Sequence, residues 1–230
     1  MAVFMVSALA LSAGGAIAAK PPKPPKPPNP APAPAPAPAP KGGADLTIAA
    51  KPNPVVFGRS TVISGRLKNG AGQVVVIEEN PHPYTGGFKP GRTATTASNG
   101  DYSFTLAPKL NTRYRVSTQA NPPVRSAEVL VQVQIRISLR LSDSTPRAGS
   151  LVRFSGSAAP AHDGRTVEIQ RLRRTGGYAT IAKTALKDAG TTRSVYSRRI
   201  RVSRTGTFRA QILSDGDHAT GFSSPRTARL

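Results

Sequence analysis

The chain contains no cysteine and no tryptophan, only two methionines, and aromatic residues fill 5% of its 230 positions. The absence of cysteine excludes disulfides, thiolate metal sites, a cysteine nucleophile and a lipid-accepting N-terminal cysteine. A small domain without disulfides depends on a well-packed apolar core, and here that core must come from Val, Ile, Leu and a few Tyr and Phe. Acid is scarce: eleven Asp and Glu stand against thirty-two Lys and Arg, for a net charge of +21. There are three histidines. No stretch shows helical apolar periodicity with capping residues, which points to an all-β chain.

The N-terminal segment, Met1 to Ala19, is apolar and ends in Ala16-Ile17-Ala18-Ala19. It reads as a secretory signal peptide cleaved after Ala18 or Ala19, although it lacks the usual basic residue near its start. A retained N-terminal anchor is the alternative, against which its length argues. Residues 20–43 follow as a Pro/Ala/Lys-rich disordered linker, beginning Pro21-Pro22-Lys23-Pro24-Pro25-Lys26 and running through an Ala-Pro repeat to Pro40. Polyproline II at about 3.1 Å per residue would let twenty such residues reach about 60 Å. The expected location is therefore secreted or extracytoplasmic, in contact with the cell wall, with no transmembrane span in the mature protein.

The remainder repeats itself, which is the first thing to establish about any fold. Gly58-Arg-Ser-Thr-Val-Ile-Ser-Gly65 matches Gly149-Ser-Leu-Val-Arg-Phe-Ser-Gly156. Gly72-Gln-Val-Val-Val-Ile-Glu78 matches Gly164-Arg-Thr-Val-Glu-Ile-Gln170. Tyr102-Ser103 matches Tyr196-Ser197, and Tyr114-Arg115 matches Phe208-Arg209. The offset drifts only from 91 to 94, so two modules are expected, at 44–134 and 135–230. In the first, strands are predicted at 46–50, 61–67, 74–78, 92–97, 102–106, 114–118 and 127–133. Tyr102, Phe104 and Leu106 alternate with Ser103 and Thr105, the period of a half-buried strand, and Asn99-Gly100 is a tight-turn signal. Seven short strands per module at this spacing predict an immunoglobulin-like β-sandwich.

The second module reads Val167-Glu-Ile-Gln-Arg171, Gly176-Gly177-Tyr178, Ile181-Ala-Lys-Thr184, Asp188-Ala-Gly190, Tyr196-Ser197 and Thr205-Gly-Thr-Phe-Arg209. This resembles the tandem immunoglobulin-like modules of secreted and surface proteins of actinobacterial type. The resemblance covers residues 44–230 and implies the sandwich fold; such modules serve as spacers, adhesive units and appendages of enzymes, and they offer no catalytic residues. Arg198 departs from the pattern, standing where Phe104 stands in the first module. An arginine at a core position needs its head group in water, so it is expected near a sheet edge.

Candidate chemistry is thin. His82, His162 and His218 each fall in an expected loop. A Ser214, His218, Asp163 triad can be imagined, but no Gly-x-Ser-x-Gly elbow accompanies it, and no enzyme activity is expected. Three histidines scattered over two modules do not suggest zinc, which needs clustered ligands. Asp215-Gly216-Asp217 could offer oxygens to calcium, but the other ligands of a calcium loop are missing. The expectation is therefore no metal and no cofactor. Glu78-Glu79 points its carboxylates to opposite strand faces.

Charge is uneven, and here one constellation stands out. Residues 135–230 carry eighteen basic side chains, sixteen of them Arg, against six acids. With Val152 and Phe154 inward on one strand, and Tyr196, Ile200 and Val202 inward on its expected neighbour, Arg153, Arg199 and Arg201 face outward together. Arg171, Arg173 and Arg174 fall on the other sheet and cannot be assigned to the same patch. Opposed like charges are tolerated when solvated or when an external anion binds them, and guanidinium forks suit phosphate and carboxylate. The expected function is that of a non-catalytic exported structural or interaction protein, displaying two modules at the cell surface and binding anionic wall polymer through Arg153, Arg199 and Arg201. A solvated face without a ligand is the plain alternative. A carbohydrate-binding or regulatory appendage acting with a separate wall enzyme is another, for which Tyr84 and Tyr178 are the aromatic candidates. A surface protein is a further candidate partner, nucleic acid is disfavoured by the few stacking aromatics, and a monomer is expected.

Overall fold

The computed structural model describes residues 45–230; the signal-peptide and linker segments lie outside the described residues. Among the described residues all regular elements are strands. The first half contains β1 (Ala49–Lys51), β2 (Val55–Val56), β3 (Thr61–Arg66), β4 (Val74–Pro81), β5 (Lys89–Thr95), β6 (Asp101–Leu106), β7 (Thr112–Thr118), β8 (Val129–Val131) and β9 (Val133–Gln134). One sheet runs β1-β3-β6 and the other β5-β4-β7-β8, while β2 pairs in parallel with β9. The seven expected strands are all present. The order, with the first strand split between the two sheets and the second, third, fifth and sixth framework strands alternating between them, is that of an immunoglobulin-like sandwich.

The second half repeats the plan with β10 (Arg136–Ile137), β11 (Arg140–Leu141), β12 (Ser150–Ala159), β13 (Thr166–Leu172), β14 (Tyr178–Ala185), β15 (Lys187–Asp188), β16 (Ser194–Val202), β17 (Gly206–Ile212), β18 (Gly221–Phe222) and β19 (Arg226–Ala228). Its sheets run β10-β12-β16-β15 and β14-β13-β17-β18, with β11 on β12 and β19 on β17. The chain is thus two tandem immunoglobulin-like sandwiches.

Each sandwich has its own core, made from the inward residue of every second position. The first gathers Leu46, Val55, Ile63, Val75, Ile77, Phe104, Tyr114, Val116, Val131 and Val133; the second gathers Ile135, Val152, Phe154, Val167, Ile169, Tyr196, Phe208, Ala210 and Ile212. Phe154 and Phe208 meet edge-to-face with centroids 5.1 Å apart, an arrangement favoured by the ring quadrupoles.

The repeated Ser-Gly and Tyr residues work together. In each sandwich the tyrosine hydroxyl crosses to the leading segment of the chain: Tyr102 Oη donates to the carbonyl of Thr47, just before β1, and Tyr196 Oη donates to the carbonyl of Ser138, between β10 and β11, at 2.6 Å. Gly65 and Gly156 let that segment approach, since a Cβ on either would lie 2.0 Å from the same carbonyl oxygen. The matching serines Ser126 and Ser223 are a second shared device. Their hydroxyls accept from the backbone N–H groups of Val116 and Ala210, both at 2.9 Å, bridging β7 and β17 to the chain that follows.

Candidate functional site

β12 and β16 pair antiparallel with Arg153 directly opposite Arg199 and Leu151 opposite Arg201. Alternation places Val152, Phe154, Tyr196 and Val202 in the core and leaves all three arginines exposed on the outer face. Arg153 and Arg199, with Ser142 and Leu151, line a shallow depression of about 330 Å³. Arg201 is held differently: its Nη1 donates to the Gly149 carbonyl at 2.7 Å, which ties it back to the turn before β12. Among the described residues none of the three has a carboxylate partner. Arg198 lies opposite Phe154 but is exposed. β15 pairs only with Ser194 and Val195, so β16 is an edge strand from Tyr196 onward and the Arg198 head group reaches water, as the sequence suggested.

A second basic depression was not assembled from the sequence. Arg171, Arg173, Arg174 and Arg204 line a hollow of about 570 Å³ together with Ala179, Ile181, Thr205 and the start of β17. The pairing of Arg171 with Phe208 across β13 and β17 brings the two Arg-bearing turns side by side. Arg171 Nη2 donates to the Thr205 carbonyl at 2.6 Å; burial, then the nearby Arg204 and Arg174, lower its pKa from the usual arginine value. The signal that could have found this hollow is the expected neighbour relation of the third and sixth framework strands, applied to Arg171-Leu-Arg-Arg174 and Arg204 together.

The acids of this half are spent internally. Asp143 and Asp188 accept backbone N–H groups of their own turns, and Asp163 accepts the Ser194 hydroxyl at 2.6 Å. Glu168 pairs with Lys183 at 2.9 Å; hydrogen bonds from Lys183 and Thr180 hold its carboxyl below the usual glutamate range despite partial burial. Asp215 meets Arg165 at 3.2 Å. Among the described residues, Lys183 and Arg165 are the only Lys or Arg of residues 135–230 with a carboxylate partner.

The histidines are not scattered in space. His162, on the turn after β12, and His218, on the turn between β17 and β18, meet with ring centroids 5.0 Å apart, and Asp215 and Asp217 face them. One ligand atom from each of these four residues lies within 4.8 Å of the others. His82, from the first sandwich, lies beside Gly216. This corrects the premise on which the sequence dismissed a metal centre: fifty-odd residues of separation vanish because β13 and β17 are adjacent strands of one sheet. Burial and the Asp217 carboxyl raise the pKa of Asp215; for Asp217, burial is outweighed by the neighbouring Asp215 carboxyl and His218 ring, which lower it. The imagined triad does not form. Asp163 is engaged with Ser194, and the far ring nitrogen of His218 meets a backbone carbonyl.

The same turn joins the sandwiches, which belong to one compact unit. Asn111 N–H donates to the Asp217 carbonyl at 2.8 Å, Asn111 Nδ2 donates to the Gly216 carbonyl at 2.9 Å, and His218 Nε2 donates to the Lys109 carbonyl at 2.9 Å. An open groove of about 510 Å³ runs along this joint, lined among others by Tyr84, Gln132, Gln134 and Phe222. Tyr178 is less open than expected, because the Arg209 guanidinium lies 3.9 Å from its ring centroid and 4.4 Å from that of Phe222.

No helix among the described residues is long and apolar enough to cross a membrane. No protein-family model and no curated protein matches the sequence. Solved structures do. The tetra-tandem repeat in the extending region of a large adhesion protein is 18% identical, with a TM-score of 0.35, covering 81% of this chain and 49% of that one. The BSP domain of a biofilm associated protein is 15% identical, with a TM-score of 0.26, covering 80% and 29%. The teleost fish polymeric Ig receptor ectodomain is 13% identical, with a TM-score of 0.35, covering 77% and 96%. The chain thus spans half or less of the length of the first two.

Proposed function

We propose that the chain is a non-catalytic, exported interaction protein of two immunoglobulin-like modules, 44–134 and 135–230, whose second module binds anionic wall polymer at the cell surface. The observation that carries this reading is the separation of charge in residues 135–230: the carboxylates are consumed by turns, by Lys183 and by the His162/His218 joint, while two arginine-lined depressions remain open. Arg153 and Arg199 present paired forks on one sheet, and Arg171, Arg173, Arg174 and Arg204 line a hollow on the other. Planar forks match phosphate and carboxylate oxygens, and exposed cations on a polyanion release counterions. The actinobacterial-type resemblance is part of the same reading.

Retention on wall-phosphate polymer, measured against salt, tests it. The chain should elute with a steep salt dependence, since exposed charges are screened within about 8 Å at physiological ionic strength. Arg153→Glu/Arg199→Glu/Arg201→Glu and Arg173→Glu/Arg174→Glu/Arg204→Glu should each shift elution to lower salt, and the combined variant should not bind. Unchanged elution of the combined variant would leave both faces as solvated surface.

A second reading has one observation in its favour. The groove at the joint presents Tyr84 and Phe222 beside the amides of Gln132 and Gln134, the mixture of rings and amides that suits a sugar. Insoluble peptidoglycan should then retain the protein at high salt and lose it on Tyr84→Ala/Phe222→Ala.

A further inference from the structure

His218 is 2% exposed, and its Nδ1 is buried without a hydrogen-bond partner. Its other ring nitrogen, Nε2, faces the Lys109 carbonyl at 2.9 Å. A carbonyl only accepts, so Nε2 carries the proton, and in the neutral ring Nδ1 is a bare lone pair. His162 is fixed in the complementary way: its Nδ1 donates to the Pro160 carbonyl at 2.8 Å, which leaves Nε2 bare. Each bare nitrogen faces a carboxylate. His162 Nε2 is 3.1 Å from Asp215 Oδ2, and His218 Nδ1 is 3.1 Å from Asp217 Oδ1.

A lone pair 3.1 Å from a carboxylate oxygen is repulsive unless a cation lies between them. A proton is one candidate. For His218 it fits poorly, because the contact with Asp217 does not have the alignment of a hydrogen bond, which is why Nδ1 is left without a partner. A metal ion needs no such line from nitrogen to oxygen. It needs both atoms to point at a common centre, which the grouping of all four donors within 4.8 Å provides. Two imidazoles and two carboxylates make a four-ligand N/O set of the kind zinc takes. Calcium, which takes six to eight oxygens, is poorly served by two histidines. The backbone carbonyls on the far ring nitrogens are the outer shell that fixes tautomer and ring orientation at metal sites.

We propose that His162, Asp215, Asp217 and His218 bind one divalent cation of the zinc class. The ion would join the turn after β12 to the turn after β17, and through Lys109 and Asn111 it would fasten the first sandwich to the second. Arg165, 3.2 Å from Asp215 Oδ2, is the residue that shares that carboxylate with the ion. This is independent of the anion-binding faces, and neither reading depends on the other.

The experiment is titration of the chelator-treated full chain with Zn²⁺, read by competition against a chelating indicator, and with Co²⁺, read by visible absorption. One ion per chain is expected, with the intense Co²⁺ spectrum of a four-coordinate site and a Tm that rises with Zn²⁺. His162→Gln and Asp217→Asn, both on half-buried residues, should each weaken Zn²⁺ binding by more than about tenfold, while His82→Gln should bind as before. Should either ligand variant fail to fold, imidazole NMR of the unaltered protein decides instead: Zn²⁺ should shift His162 and His218 and leave His82 unmoved. Absence of stoichiometric binding, binding that survives both ligand variants, or Zn²⁺ shifts centred on His82 would each overturn the site and leave the cluster as imidazolium–carboxylate pairs.

Discussion

Single residues carry the features that the two sandwiches share. Gly156 exists because the Ser138 carbonyl passes where a Cβ would stand. Gly156→Ala should therefore destabilise the second sandwich by more than about 2 kcal/mol in urea unfolding, a backbone collision being among the few causes of large losses. Tyr196→Phe, which removes one hydroxyl bond to the same carbonyl, should cost only about 1 kcal/mol. Equal costs would mean that the glycine is not there for the close approach. Glu168 gives a pH prediction. Its folded pKa is depressed by Lys183 and Thr180, so its contribution is complete above the ordinary glutamate range, near pH 4.3, and is lost as pH falls through the lower folded value. The Tm difference between the unaltered protein and Glu168→Gln should be largest at neutral pH and shrink on acidification; a difference that grows in acid would contradict this. The repeat marked Gly156 and Tyr196 in the sequence, but not why they recur together, because the carbonyl that links them belongs to Ser138, in the break between the two short strands β10 and β11.

Pairs of strands decide what the arginines do. Strand alternation was enough to put Arg153, Arg199 and Arg201 outward, since Val152, Phe154, Tyr196 and Val202 claim the core. The exact opposition of Arg153 and Arg199 needed the register of β12 on β16. Because these charges repel, Arg199→Glu should raise stability slightly, by about 0.5 kcal/mol, through a cross-strand ion pair, while reducing retention on polyanion. A loss of stability would show that the pair is not opposed in solution. The Arg173/Arg174/Arg204 hollow was not assembled from the sequence, because local alternation does not join turns at the ends of two strands; only the strand order of the expected sandwich could have done so.

For the whole molecule, the joint is the decisive feature. Asn111 is buried and spans it, its Oδ1 accepting Val133 N–H at 2.8 Å and its Nδ2 donating to the Gly216 carbonyl. The full chain should melt in one calorimetric transition. Asn111→Ala leaves both backbone groups unpaired at about 1–3 kcal/mol each and should split the melt in two; a single unshifted transition in the variant would show that the sandwiches are independent. From the sequence came the all-β class, the duplication, the strand positions and the outward arginines, because each depends on local alternation and on turn residues that act over a few positions. Only the tertiary structure decided the meeting of His162 with His218, Asp215 and Asp217, and of that turn with Lys109 and Asn111. These groups are brought together by sheet pairing and by the packing of one sandwich on the next, and such contacts between distant positions leave no periodic trace along the chain.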